Sequence, residues 1–302
     1  MRIGSFILPA AGGGVHGLVR DMVAAEQRGM QSAWIAHIRG ADALMVLALA
    51  GQQTQTIELG TFVVPTFPRH PSSLAQQALT TQAFSGNRLA LGIGLSHRVS
   101  MEQGLGFDWD HPLRHMKEYL AVLQPLLRGE AATYAGTEYT VNDYQIDVPG
   151  TQPPPVLVAA LGPQMIRLAG RASDGTALWL GGPTYIGQHH APALREAAAK
   201  AGRPEPRIVA SVPVCVTNDA AGVRRRIQQV FARYGDLPSY RAILDREGAA
   251  DPSDVALVGT ADEVAAGLLK FADAGVTDFA AAVFANGAEA DETWELLAGW
   301  TA

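Results

Sequence analysis

One cysteine, Cys215, stands among 302 residues, so no internal disulfide can form and nothing points to an oxidising compartment. In the setting IVASVPVCV it reads as a buried, unreactive thiol. Charge is scarce too. Charged residues make up 17% against 48% hydrophobic, which leaves apolar surface for one large core and argues against disorder. A net charge of −6 gives no electrostatic footprint for a nucleic-acid partner. No apolar run approaches the about 20 residues of a membrane span, and MRIGSFILPA lacks the apolar core of a signal peptide. The expectation is a soluble, cytoplasmic protein.

Several catalytic signatures are also missing. Gly12, Gly13 and Gly14 lack the lysine and following hydroxyl of a P-loop and read as a mobile rim loop. Gly92 and Gly94 lack the third glycine and the later acid of a dinucleotide fingerprint. No serine sits in a G-x-S-x-G elbow, so hydrolase machinery is not visible. His111 and His115 have metal-ligand spacing but no glutamate between them, and read as ordinary surface or capping histidines. His189 and His190 are adjacent and would point apart on a helix, a poor chelate. No metal site is expected.

What the chain does contain is an alternation of strand-like and amphipathic helical runs from end to end, the pattern of a parallel sheet with crossover helices. Strands are expected at 2–8, 33–36, 57–64, 88–93, 156–160, 176–180, 208–216 and 279–284. Helices are expected at 17–28, 41–53, 72–84, 112–127, 163–172, 191–201, 220–234 and 261–274. Eight such units imply a closed (β/α)8 TIM barrel, a single α/β domain over 1–302. Two stretches break the pattern: 129–155, after the fourth strand, reads as an irregular excursion holding Tyr134, Tyr139 and Tyr144, and 235–258, in the C-terminal third, as an insertion with short extra helices.

In a barrel the working residues stand where strands end, on the C-terminal face. His37 ends the second strand, and His97 follows the fourth in RLALGIGLSHR, where Gly94 leads a small-residue turn to Ser96 and Arg98. Both imidazoles are catalytic candidates, able to shuttle a proton or donate to a ring. After the third strand, GTFVVPTFPRHP, with Phe62, Val63, Thr66, Arg69 and His70, forms one wall of the mouth. Ala160, Leu161 and Gly162 precede Pro163, and Gly181 and Gly182 precede Pro183; free amides at such helix starts favour a phosphate.

These segments, with PPPVLVAALGPQMIRLAGRASDG and VGTADEVAAGLLKFADAGVTDF, resemble the luciferase-like monooxygenase superfamily, particularly its coenzyme F420 (deazaflavin) dependent oxidoreductases. The resemblance covers nearly the whole chain. It implies a flavin-like ring across the mouth, lying against a bulge after the third strand that often holds a non-proline cis peptide, here between Phe62 and Val63. It places His37 near the ring, Phe62, Val63, Thr66, Gly94, Ser96, His97 and Arg98 around the coenzyme, and its phosphate at Ala159 to Gly162, with the turn at Gly181 and Gly182 close by. Departures are visible. Ala36 replaces an aspartate that often precedes the family histidine, no tryptophan follows His37 at the sugar-phosphate spacing, and His97 stands where that branch has a glutamate, which speaks against glucose 6-phosphate. The implied activity is hydride exchange between F420 and a small organic substrate, preferably reduction of an activated C=C or C=N bond, in a homodimer. Alternatives are an FMN-dependent monooxygenase and a non-catalytic flavin-binding barrel.

Overall fold

The computed structural model describes residues 1–8 and 13–300; Gly12 of the glycine run lies outside them. Its strands are β1 (Arg2–Ile7), β2 (Ser32–Ile35), β3 (Glu58–Thr61), β4 (Val64–Pro65), β5 (Leu89–Gly94), β6 (Ala132–Ala135), β7 (Thr140–Tyr144), β8 (Val156–Val158), β9 (Gly175–Trp179), β10 (Arg207–Ser211), β11 (Pro213–Val216), β12 (Leu257–Gly259) and β13 (Asp278–Val283). Its helices are α1 (Gly14–Gln27), α2 (Ala43–Gly51), α3 (Pro71–Phe84), α4 (Pro112–Leu127), α5 (Pro163–Ala172), α6 (Pro183–Tyr185), α7 (Ala191–Lys200), α8 (Ala220–Asp236), α9 (Pro238–Glu247), α10 (Ala261–Asp273) and α11 (Ala288–Ala298), with π-helical turns at Val99–Gln103 and Ile186–His190.

Parallel pairing runs β1-β2-β3-β5-β8-β9-β10-β13, and β13 returns to β1 from Arg2↔Asp278 to Ser5↔Ala281, which closes the expected eight-stranded barrel. The alternation of side chains fills it in layers. Arg2, Glu58, Arg207 and Asp278, each the first residue of its strand, meet at the N-terminal end: Arg207 pairs with Glu58 at 2.7 Å and Asp278 at 2.8 Å, and Arg2 with the same acids at 3.3 and 3.1 Å. Above them Gly60 leaves room for the Trp34 indole, which a Cβ there would enter.

The departures from expectation lie at strand ends and insertions. The run 57–64 is broken at Phe62 and Val63 into β3 and β4, and β4 re-pairs with β5 (Val64↔Ile93). The run 208–216 is broken at Val212 into β10 and β11; β11 continues along β13 and carries β12, a strand the sequence did not announce. The excursion 129–155 is more regular than expected, because β6 and β7 form an antiparallel hairpin. Three backbone amides, of Thr137, Glu138 and Tyr139, donate to the Glu118 carboxylate of α4 and fix it there. The stretch 235–258 holds α9, as expected of a helical insertion.

Candidate active site

The C-terminal mouth is walled where β3 breaks. The Phe62–Val63 peptide bond is cis. The Phe62 ring lies 5.2 Å from Phe6 and 6.0 Å from Trp34, and Phe6 lies 5.4 Å from Trp179, so aromatic faces line this side. A Cβ at Gly94 would press on the side chains of Val63 and Ala159, which makes glycine the residue that lets the two walls approach. Thr66 is buried. Its N–H and Oγ1 both donate to the Gly94 carbonyl, at 2.9 and 3.3 Å, and so pin the end of β5 to the wall.

His37 is half-buried at the end of β2. Its Nδ1 accepts from the Ala43 N–H at 3.1 Å, and its Nε2 lies 3.3 Å from Arg69 Nη2. Arg69 is held by Asp42 at 2.6 Å, and Asp42 also caps α2 by accepting from Met45 N–H at 3.2 Å. Burial, then the Arg69 charge, hold the His37 pKa below its ordinary value, with Asp42 opposing. The ring is therefore neutral near pH 7, with a donor facing each of its nitrogens, of which only one can accept. In this state His37 is not a cationic acid.

His97 meets other partners. Its ring lies edge-on to Tyr234 and Tyr240, each at 5.9 Å, so it packs against the end of α8 and α9. Burial, then Arg233, lower its pKa. Tyr234 and Tyr240 are raised by burial and stay protonated. Ser96 is exposed with a left-handed backbone (φ 65), an arrangement that turns the chain sharply out of β5. Arg98 is paired on the surface with Glu102 through two contacts of 2.9 Å, its side chain 60% exposed.

The two helix starts read as anion sites differ. At Gly162 no side chain caps α5, and a Cβ there would meet nothing within 4 Å, so its first amides stand open. Behind this turn Tyr185 Oη donates to the Leu161 carbonyl at 2.6 Å, and His190 is fully buried beside Ala160, its pKa lowered to about 4 by burial. At Gly181 and Gly182 the slot is already filled. Thr184 and Tyr185 N–H donate to the Glu247 carboxylate at 3.2 and 2.6 Å, so the expectation of a coenzyme anion at this second start gives way.

Sequence reading missed some partners. His115, expected at the surface, is buried: it stacks on Phe67 at 3.9 Å and 10°, its Nε2 lies 2.9 Å from Thr66 Oγ1, and its Nδ1 lies 3.4 Å from Tyr139 Oη. No local signal marks it, since all three partners come from other elements. Asp42 did carry one, an acid directly before an apolar helical run. His111 flanks α4 without a side-chain cap, and Cys215 is buried with its thiol pushed up to about 11 by burial. Among the described residues no cluster of three or more His, Cys, Asp or Glu could hold a metal, and no helix is long and apolar enough to cross a membrane.

Comparison with known proteins agrees with this architecture. The uncharacterized protein Rv1360 of Mycobacterium tuberculosis is 30% identical over 249 residues, 76% of this chain and 71% of that protein. The F420-dependent glucose-6-phosphate dehydrogenase of Beutenbergia cavernae is 36% identical over 202 residues, 61% of this chain and 60% of its own. The fold superposes on the coenzyme F420 dependent tetrahydromethanopterin reductase of Methanopyrus kandleri with a TM-score of 0.82 at 21% identity, covering 99% and 97% of the two chains. The family profile described as luciferase-like monooxygenase matches residues 1–278, and the chain belongs to that family.

Proposed function

We propose that this protein is an oxidoreductase that moves a hydride between coenzyme F420 and a small organic substrate at the barrel mouth, with reduction of an activated C=C or C=N bond as the favoured direction. One observation carries the reading: the apolar wall of Phe62, Val63, Gly94 and Ala159 stands beside a helix start, at Gly162, whose amides are uncapped. A flat ring needs the first and an anionic tail the second. The residues present therefore fit the coenzyme, and the F420-dependent relative supports the choice over FMN.

When bound, the deazaflavin supplies the hydride chemistry. Phe62 and Val63 would back its ring, and Ala160, Leu161 and the amides after Gly162 would hold its phosphate. Thr66 keeps the end of β5 against the wall through Gly94. His37, neutral between the Ala43 amide and Arg69, stands at the end of β2, and His97 packs edge-on against Tyr234 and Tyr240. Ala36, where the family often has an aspartate, and His97, where the sugar-phosphate branch has a glutamate, favour a substrate other than a sugar phosphate.

Titration of the purified protein tests the reading. F420 should bind at least about tenfold more tightly than FMN, and added salt should weaken it, because helix amides hold an anion partly through screened charge. Tighter FMN binding would instead favour the monooxygenase reading. F420 binding without hydride passage to any acceptor would leave a binding barrel. We also read the chain as cytoplasmic and as a homodimer, the dimer because Met45 (69% exposed) and Leu49 on α2 and Phe84 at the end of α3 leave apolar side chains in solvent.

A further inference from the structure

We infer that Tyr185 is a positioning residue for the coenzyme phosphate: by holding the Leu161 carbonyl from behind, it aims the Gly162 N–H at the anion. This rests on the phosphate occupying the helix start at Gly162 in the function proposed above. Tyr185 is fully buried, and its Oη donates to the Leu161 carbonyl at 2.6 Å. Burial pushes its pKa up to about 12, so the hydroxyl keeps the proton that it donates. The one cis bond among the described residues is Phe62–Val63, so the Leu161–Gly162 unit is trans, and in a planar trans unit C=O and N–H point in opposite directions. A carbonyl drawn back to the buried phenol therefore turns the N–H forward, at a glycine that is exposed.

That amide matters because the donors here are few. Gly162 N–H has no acceptor among the described residues, Pro163 has no N–H to offer, and no side chain caps α5. Its direction decides what it contributes, since a hydrogen bond weakens steeply as its angle closes. Tyr185 is itself held from two sides. Its own N–H donates to Glu247 at 2.6 Å, and its ring stands edge-on to His190 at 6.1 Å and 61°, with His190 also fully buried, beside Ala160. The segment whose own amides are filled by Glu247 thus reaches the open helix start through one phenol. The hydroxyl proton of Tyr185 is used by Leu161, so the residue serves the turn without touching the anion.

Three ligands test this: F420, the deazaflavin riboside that lacks its phosphate and tail, and inorganic phosphate. The native protein should bind F420 more tightly than the riboside, and inorganic phosphate should shift the Gly162 amide resonance in proton–nitrogen spectra. Tyr185→Phe keeps the ring and loses the hydroxyl. It should weaken F420 and inorganic phosphate at least about fivefold and leave riboside affinity unchanged. In turnover, the KM for F420 should rise while kcat holds. Equal weakening of F420 and the riboside would assign Tyr185 to the fold alone and overturns the proposal, as does unchanged affinity of the variant for F420 or for phosphate. A native protein in which phosphate leaves the Gly162 amide unshifted overturns it too, without any variant. If the native protein binds neither F420 nor the riboside, yet phosphate shifts Gly162 and Tyr185→Phe weakens that shift, the function proposed above falls and the aiming of this amide by Tyr185 stands.

Discussion

His115 shows how one side chain can serve a site it does not line. Tyr139 O–H donates to its Nδ1, its Nε2–H donates to Thr66 Oγ1, and Thr66 in turn donates to the Gly94 carbonyl, so a single neutral tautomer satisfies the chain from the hairpin to the end of β5. Replacing it with phenylalanine keeps the stack on Phe67 but leaves Thr66 and Tyr139 without that partner. His115→Phe is expected to destabilise the fold by about 1–3 kcal/mol in a denaturant titration. Acid sensitivity follows from the same burial. The pKa values of His115 and His190 are lowered from 6.5 to about 4 in the folded state, so as pH falls the unfolded chain takes up protons first. The stability that comes from keeping these rings neutral is complete above about pH 6.5 and is lost between there and pH 4. Unfolding free energy measured across that window should drop by on the order of 3 kcal/mol per ring, and by less in His115→Phe.

At the scale of elements, helix starts were the most legible feature. α4 and α5 span the expected residues, because Pro112 and Pro163 occupy first positions where a missing N–H costs nothing. α10 begins with a reciprocal capping box between Thr260 and Glu263. The π-helical turns at Val99–Gln103 and Ile186–His190 left no such mark, since packing rather than local propensity inserts the extra residue. Attachment of α9 to the barrel was equally hidden: Glu247 reaches the amides of Thr184 and Tyr185, residues 63 and 62 positions away. Glu247→Ala should expose those two amides, and hydrogen exchange there should speed by at least tenfold while α5 amides are unchanged.

The whole barrel is tied at its N-terminal end by Arg2, Glu58, Arg207 and Asp278, contributed by four strands. Asp278 is 2% exposed, and removing Arg207 would leave it with Arg2 as its one paired cation beside the Thr277 hydroxyl. Arg207→Met is therefore expected to cost roughly 3 kcal/mol, read as a fall in thermal midpoint, even though it adds apolar volume. Closure of the barrel itself was legible because seven of the eight apolar runs are followed by a helix, and parallel strands joined by helices admit few other arrangements. The sequence by itself therefore determined the eight strands, their order and the C-terminal ends that carry His37, Thr66, Gly94 and Gly162. Tertiary structure alone decided which groups meet across those ends. It set Arg69 against His37, drew His115 under the wall, turned His97 toward Tyr234 and Tyr240, and filled the Gly182 helix start with Glu247 while leaving that at Gly162 open. Periodicity records the face a residue takes within its own element, whereas these partners lie on other elements and are selected only when the sheet closes and brings their ends together.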